Sequence, residues 1–276
     1  MGKFISALKE SLEIFSENPK LIVPKLLVSL FYSFSIVFGI KFLVDFFTEP
    51  DASMLFSGLA VIAIELASLA LDTFVNLLYP ALVAQQREGK KISFRAAYAK
   101  IASRFWRSVL PIASVLAAVM ALSIFWAVIY YLFIGDIAPG EPSFILFILP
   151  IFMLVLAAAF IFYMIFPVST IESNGPLASL KRSARLSLLH WGGVAKAMAL
   201  SLALSGISFA IAFALNFVPE EQSLLFWGAF IVVRFLTAYI ATFTYLLVPV
   251  LYFHYAAAGN ESAAQKQAPA KKAKKK

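Results

Sequence analysis

Residues 61–80 read VIAIELASLALDTFVNLLYP and place two carboxylates, Glu65 and Asp72, in a stretch that is otherwise almost wholly apolar. A run of this length matches the roughly 20 residues that a helix needs to cross the hydrocarbon core of a bilayer. Charged groups at that depth are costly, and they usually face the interior of a helix bundle or a water-filled cavity. The stretch therefore predicts a membrane-spanning helix with one polar face.

The whole chain has the same character. It has 276 residues, 62% of them hydrophobic and 28 of them Phe, with a mean hydropathy of +0.88. The long apolar stretches lack the alternation of period two that a membrane barrel requires. The predicted fold is an all-α integral membrane protein with six transmembrane helices, at 22–44, 54–80, 108–134, 144–168, 194–217 and 224–252.

The charges predict the orientation of these helices. The connections 45–53, 135–142 and 219–223 carry acidic residues and no Lys or Arg, and all basic residues except Lys41 and Arg234 lie at the other ends of the spans, in the other connections or in the termini. The positive-inside rule then places both termini in the cytoplasm. The predicted localisation is the cell membrane, as a multi-pass protein.

An internal repeat of about 85 residues organises the chain. Pro80, Pro167 and Pro249 each lie near the end of an even-numbered span, and the segments that precede the odd-numbered spans align with one another. This period predicts three parallel repeats about a pseudo-threefold axis, each an interfacial amphipathic helix followed by a transmembrane hairpin. The repeats cover about 1–88, 89–174 and 175–259 of a single membrane domain, and 260–276 is predicted to be a disordered Lys-rich cytoplasmic tail.

The three segments before the odd-numbered spans have apolar stripes at helical spacing. The stripes are Phe4, Leu8, Leu12 and Phe15, then Phe94, Tyr98, Ile101 and Phe105, then Leu177, Leu180, Ala184 and Leu188. Such helices suit a membrane interface, where basic side chains meet anionic headgroups; they also suit a cap on the helix bundle. The predicted anionic-lipid contacts are Arg95, Lys100, Arg104, Lys181, Arg182 and Arg185.

The repeat predicts a charged partner for one of the two carboxylates, Glu65. Glu65 precedes Pro80, and Arg234 precedes Pro249, by the same interval. Matched depth predicts a Glu65–Arg234 pair in the bundle interior, whereas Asp72 has no basic counterpart and is predicted to be protonated or to face water. The full predicted polar cluster is Glu65, Ser68, Asp72, Asn76, Arg234, Thr237 and Tyr245.

Other kinds of site have no sequence signal. The chain has no Cys, its two His residues are far apart in sequence and lack metal-ligand spacing, and a Lys tract without aromatics is a weak signal for nucleic acid. No catalytic residue, metal, cofactor or nucleic-acid partner is predicted, and an enzyme is not expected.

The stretch FPVSTIESNGPLASLKRSARLSLLHWG (166–192) resembles a segment of the membrane domain of glycerophosphoryl diester phosphodiesterases and of related multi-pass proteins. The matching residues are Pro167, Glu172, Gly175, Leu180, Lys181, Ser183 and Trp191. The resemblance implies a six-span domain over 1–259. The phosphodiesterases carry a separate catalytic barrel for which this chain has no room, so no catalytic residue is implied.

Two functions follow from these patterns. The first is non-enzymatic transport or lipid handling through a polar cavity around Glu65, Asp72 and Arg234. The alternative is a membrane scaffold or envelope-organising protein that binds lipid or a partner through its basic cytoplasmic face; in that case the polar cluster fixes helix packing. Membrane lipids with anionic headgroups are the predicted partners, and a protein partner or homo-oligomer is left open.

Overall fold

The computed structural model describes residues 2–48, 54–133, 142–172, 175–217 and 223–273. Within these ranges, some side chains are outside the description: those of 34–37, 40–41, 43–48, 54–56 and a few helix ends, and those beyond Ala256. All the regular elements described are helical. They are α1 (Gly2–Glu17), α2 (Ile22–Thr48), α3 (Met54–Arg87), α4 (Phe94–Ala102), α5 (Phe105–Phe133), α6 (Pro142–Ile161), α7 (Ile165–Ile171), α8 (Pro176–Leu189), α9 (Trp191–Phe213) and α10 (Ser223–Ala273), with two short 3-10 turns at Pro19–Leu21 and Ala214–Phe217.

Five helical stretches of the described chain are long and apolar enough to cross a membrane. They are Ser57–Arg87, Phe105–Phe133, Ser143–Ile171, Trp191–Phe213 and Leu225–Ala256. They correspond to the second to sixth predicted spans. The first predicted span falls on α2, much of whose second half has no described side chains, and most of each acidic connection lies outside the described residues. The multi-pass helical class is confirmed, whereas the first predicted span, and with it the total of six, stays a prediction.

The order of the helices alternates between short and long elements. A short helix (α1, α4 or α8) precedes two long ones three times along the chain, with α6 and α7 together in the place of one long helix. The three prolines of the predicted repeat are all buried. Pro80 and Pro249 lie inside continuous helices, whereas a turn precedes Pro167 and separates α6 from α7. A proline removes one backbone donor and crowds the preceding turn, but Pro80 and Pro249 show that this alone does not break a helix here.

The short helices bury only part of the predicted apolar stripes, namely Phe15 in α1 and Ile101 in α4, together with other residues. The buried residues are small or mixed: Ala7, Ser11, Ile14 and Phe15 in α1, Ala97 and Ile101 in α4, and Ser179, Ser183, Leu186 and Ser187 in α8. Large apolar stripe residues such as Leu12, Tyr98, Leu177 and Leu188 are exposed. Small side chains let helix backbones approach closely, which accounts for the buried Ala and Ser residues of these helices.

The chain packs as two compact units. The first comprises Met1–Ala7, Arg95–Met198 and Val248–Lys276, and the second comprises Leu8–Phe94 and Ala199–Leu247. In the first unit, α5 packs against α6, α7 and α8. In the second, α2 packs along α3, which is buried continuously from Val75 to Ala84.

The C-terminal helix is longer than the sequence predicts. α10 continues to Ala273, through most of the segment 260–276 that is predicted to be a disordered tail. The segment is rich in Ala, Gln and Lys, which are strong helix formers, so its local propensity favours a helix although its composition is of low complexity.

Candidate functional site

The second unit contains a polar cluster built on α3. Asp72 and Asn76 lie one turn apart and therefore share a face of this helix. Lys25, from the first turn of α2, meets both of them: its Nζ lies 2.7 Å from Asp72 Oδ1 and 2.5 Å from Asn76 Oδ1. Asn76 Nδ2 donates to Asp72 Oδ2 at 3.0 Å, which closes a ring of three side chains.

Lys25 is the centre of this cluster, which we call the lysine clamp (Lys25, Asp72, Asn76 and Tyr245). Its side chain is only 4% exposed, against 23% for Asp72. Its ammonium also lies 3.6 Å from the centroid of the Tyr245 ring, which α10 contributes. A buried ammonium is stable only when its donors are satisfied, and two oxygens and an aromatic face supply that here.

A second set of hydrogen bonds lies one turn further along α3. The fully buried Tyr79 hydroxyl donates to the Leu21 carbonyl at 3.1 Å and lies 3.5 Å from Thr242 Oγ1 of α10. The Tyr79 and Tyr245 rings stack with their centroids 6.4 Å apart. These contacts fix α10 beside the clamp within this unit.

A cavity of about 310 Å³ adjoins the clamp. Its charged lining residues are Lys25, Asp72 and Arg234. Hydroxyl groups and apolar side chains complete the wall: Ser29, Tyr32, Ser208 and Thr237, with Val28, Phe209, Ala212, Ala238 and Ala241. The cavity therefore combines fixed charges, hydrogen-bonding groups and an apolar surface in helices whose other exposed side chains are largely apolar.

The predicted pair of Glu65 and Arg234 stays a prediction. Glu65 is exposed, and it does not line the cavity. No residue of α3 from Ser57 to Ala67 is buried, whereas the second half of this helix is buried continuously from Val75 to Ala84.

Arg234 lies beside the aromatic ring of Phe230 and lines the cavity. Its guanidinium carbon lies 5.0 Å from the centroid of Phe230. Its Nε is shielded from solvent and has no hydrogen-bond partner among the described residues. The adjacent Thr237 hydroxyl donates to the Arg234 carbonyl at 3.1 Å.

The remaining predicted cluster residues have separate roles. Ser68 is buried and donates to the Ile64 carbonyl of its own helix at 2.8 Å. Asp72, Asn76 and Tyr245 do come together, as members of the clamp. The residue that sequence reasoning missed is Lys25: it appeared only as a basic residue at the end of a span, and the surplus of carboxylates over Arg was the signal that a second cation was needed.

The predicted basic lipid contacts are not equivalent. Arg95, Arg104, Lys181 and Arg185 are exposed, and Lys100 is half-buried. Arg182, in contrast, is engaged within the first unit, where its Nε lies 3.1 Å from Glu172 Oε1. Tyr252 donates to the same carboxylate oxygen at 2.8 Å. Arg182 therefore joins α8 to the end of α7 and is a weaker candidate for a lipid contact.

No protein-family model, characterised protein or solved structure matches this chain. Among the residues that the structure describes, no three His, Asp or Glu side chains are grouped so that they could hold a metal ion. The cavity and the lysine clamp are the features of the described chain that bear on its function.

Proposed function

We propose that the protein is a six-span, non-enzymatic membrane protein that accommodates a polar or charged group in the cavity beside the lysine clamp, in transport or lipid handling. Both termini are cytoplasmic, and the three helix triplets are parallel repeats of one unit. The observation that carries the proposal is the cavity itself, with Lys25, Asp72 and Arg234 in its wall.

The size and polarity of the cavity support an occupied site. The cavity is open on one side, and its volume of about 310 Å³ exceeds the roughly 10–15 Å³ that one water molecule needs beside polar partners. Helix packing alone does not require this volume, because a cluster that only fixes the register of helices is stabilised by close contact. Charged side chains in membrane helices commonly mark substrate or ion pathways.

The alternative is a scaffold that binds lipid or a partner through its basic face. The exposed apolar residues Leu12, Tyr98, Leu177 and Leu188 on short helices favour it, because such helices lie with their large side chains in the membrane interface. The two functions differ in what they require of the cavity: the scaffold needs no water or ligand there.

The absence of native Cys allows a direct test by single-cysteine labelling in membranes. Cavity variants are Ser208→Cys and Ala241→Cys. The matched control is Leu236→Cys on α10, which is exposed and does not line the cavity, and Ser103→Cys in the exposed turn after α4 is the positive control. A charged methanethiosulfonate reagent modifies thiolates in water but not in lipid.

We expect both cavity variants to be labelled at least tenfold faster than the Leu236→Cys control. Equal and slow labelling of the cavity variants and this control, with fast labelling of Ser103→Cys, would show that water does not reach the cavity. That outcome would overturn the proposal in favour of the scaffold.

A further inference from the structure

The charges of the cavity wall are unbalanced. Lys25 is committed to the clamp, because its ammonium contacts Asp72, Asn76 and the Tyr245 ring. Lys25 and Asp72 thereby form a neutral pair. Arg234 is the remaining charged residue of the lining, so the described wall carries one net positive charge.

The donors of Arg234 are also incompletely used. One face of the guanidinium is covered by Phe230, and the shielded Nε has no hydrogen-bond partner in the described chain. An uncompensated charge among apolar helices is costly. A planar guanidinium offers parallel donors that match the two oxygens of a carboxylate or phosphate.

Further donors lie around the same space. The hydroxyls of Tyr32 on α2 and Ser208 on α9 line the cavity with Arg234. Phe209, Ala212 and Ala238 form an apolar part of the wall. The combination suits a ligand with one anionic oxygen-bearing group and an apolar remainder.

From this arrangement we propose that the cavity binds an oxyanion, a phosphate or a carboxylate, with Arg234 as its principal partner. The inference rests on the proposed function and names the chemistry of the ligand. The lysine clamp is the fixed wall of the site: Asp72 is already neutralised by Lys25 and does not repel the anion. The oxyanion belongs either to an acidic lipid or to a soluble anion, and the two sources are separated by experiment.

The test is ligand binding to the purified, delipidated protein in an uncharged detergent, by native mass spectrometry and thermal shift. The probes are phosphatidylglycerol, oleate, diacylglycerol and inorganic phosphate. Diacylglycerol has acyl chains without an anion, and inorganic phosphate is an anion without acyl chains. The variants are Arg234→Gln, Arg234→Lys and the matched control Arg107→Gln, which removes an exposed arginine of α5 in the first unit.

We expect at least one of the anionic probes to bind the wild-type protein and the Arg107→Gln control with equal affinity. The same probe should bind Arg234→Gln about 10- to 100-fold more weakly, because a charged hydrogen-bonding partner is lost. Arg234→Lys keeps the charge without the parallel donors and should be intermediate. Binding of phosphatidylglycerol or oleate without inorganic phosphate identifies a lipid source, and binding of inorganic phosphate identifies a soluble one.

Equal affinity of wild type and Arg234→Gln, or failure of all three anionic probes to bind, would overturn the inference. If Arg234→Gln does not fold, Ser208→Leu narrows the cavity without removing a charge and should weaken the same probe. Cysteine labelling separates the two proposals. If water reaches the cavity but Arg234→Gln does not change the affinity for the ligand, this inference alone is refuted. If water does not reach the cavity, both proposals are refuted.

Discussion

Breaking the lysine clamp should show that Lys25 is the charged partner of Asp72. The perturbation is a double-mutant cycle of Asp72→Asn, Lys25→Met and the two together. Asp72→Asn leaves the shape of α3 unchanged but removes the charge 2.7 Å from the ammonium of Lys25. Lys25→Met keeps an unbranched side chain of similar length.

The magnitudes follow from the burial of the two partners. Removing one partner of a buried pair typically costs about 3–5 kcal/mol. Lys25 is 4% exposed but keeps Asn76 and the Tyr245 ring in the Asp72→Asn variant, so we expect about 3 kcal/mol. Lys25→Met should cost less, about 1–2 kcal/mol, because the 23%-exposed Asp72 can be hydrated and still accepts from Asn76.

The assay is unfolding in detergent, and the quantity of interest is the coupling energy of the pair. We expect the double variant to lose less than the sum of the single variants, by about 2 kcal/mol. Additivity within about 0.5 kcal/mol would refute the clamp. The control is the corresponding cycle of Glu65→Gln and Arg234→Gln, for which we expect no coupling beyond about 0.5 kcal/mol; strong coupling there would confirm the pair that the repeat predicts.

Three further predictions concern other contacts. Tyr79→Phe removes a fully buried hydroxyl hydrogen bond and should lower the free energy of unfolding by about 1–2 kcal/mol; an unchanged unfolding midpoint would contradict that bond. Gly193→Ala places a Cβ against the hydroxyl of Tyr255 and 2.8 Å from its Cζ, so it should cost about 1–3 kcal/mol, and Tyr255→Phe should restore part of the loss; no restoration would show that this hydroxyl is not the obstacle. Burial, followed by the charge of Lys3, lowers the pKa of His190 below its usual value of 6.5. The neutral form is therefore favoured in the folded protein, and the protein should lose stability as the pH falls below about 6.5. His190→Asn should make the thermal midpoint depend less on pH between about pH 7.5 and 5.5, and an unaltered dependence would contradict this prediction.

The long helices could be predicted because span length and hydropathy are local properties of the sequence. The face shared by Asp72 and Asn76 was also predictable, since it depends only on helical periodicity. Which side chain meets that face depends on the packing of a second helix. Lys25 precedes Asp72 by 47 residues, and only the way α2 packs along α3 joins them.

Two features of the packing depend on more than local sequence. The repeat predicts that Glu65 and Arg234 lie at one depth, but depth alone does not determine which side chains meet, and this pair stays a prediction. In the short helices, the sequence predicts apolar stripes that suit the membrane interface or a cap on the bundle, but it does not show which side chains form the packing face. The structure buries Ser179, Ser183 and Ser187 of α8, because close approach of helices favours small side chains over hydrophobic ones.

The position of the lysine clamp in the chain constrains the order in which the membrane domain is made. Its charged pair lies on consecutive helices, whereas the Tyr245 ring and the Thr242 hydroxyl belong to α10, about 160–170 residues after Tyr79 and Asp72. A nascent α3 that entered lipid alone would carry Asp72 and Asn76 without partners, at a cost of several kcal/mol. Synthesis of α2 before α3 makes Lys25 available as Asp72 arrives, so the two helices can leave the insertion machinery with this charge pair already formed. The later docking of α10 then closes a site whose charges were already paired during biogenesis.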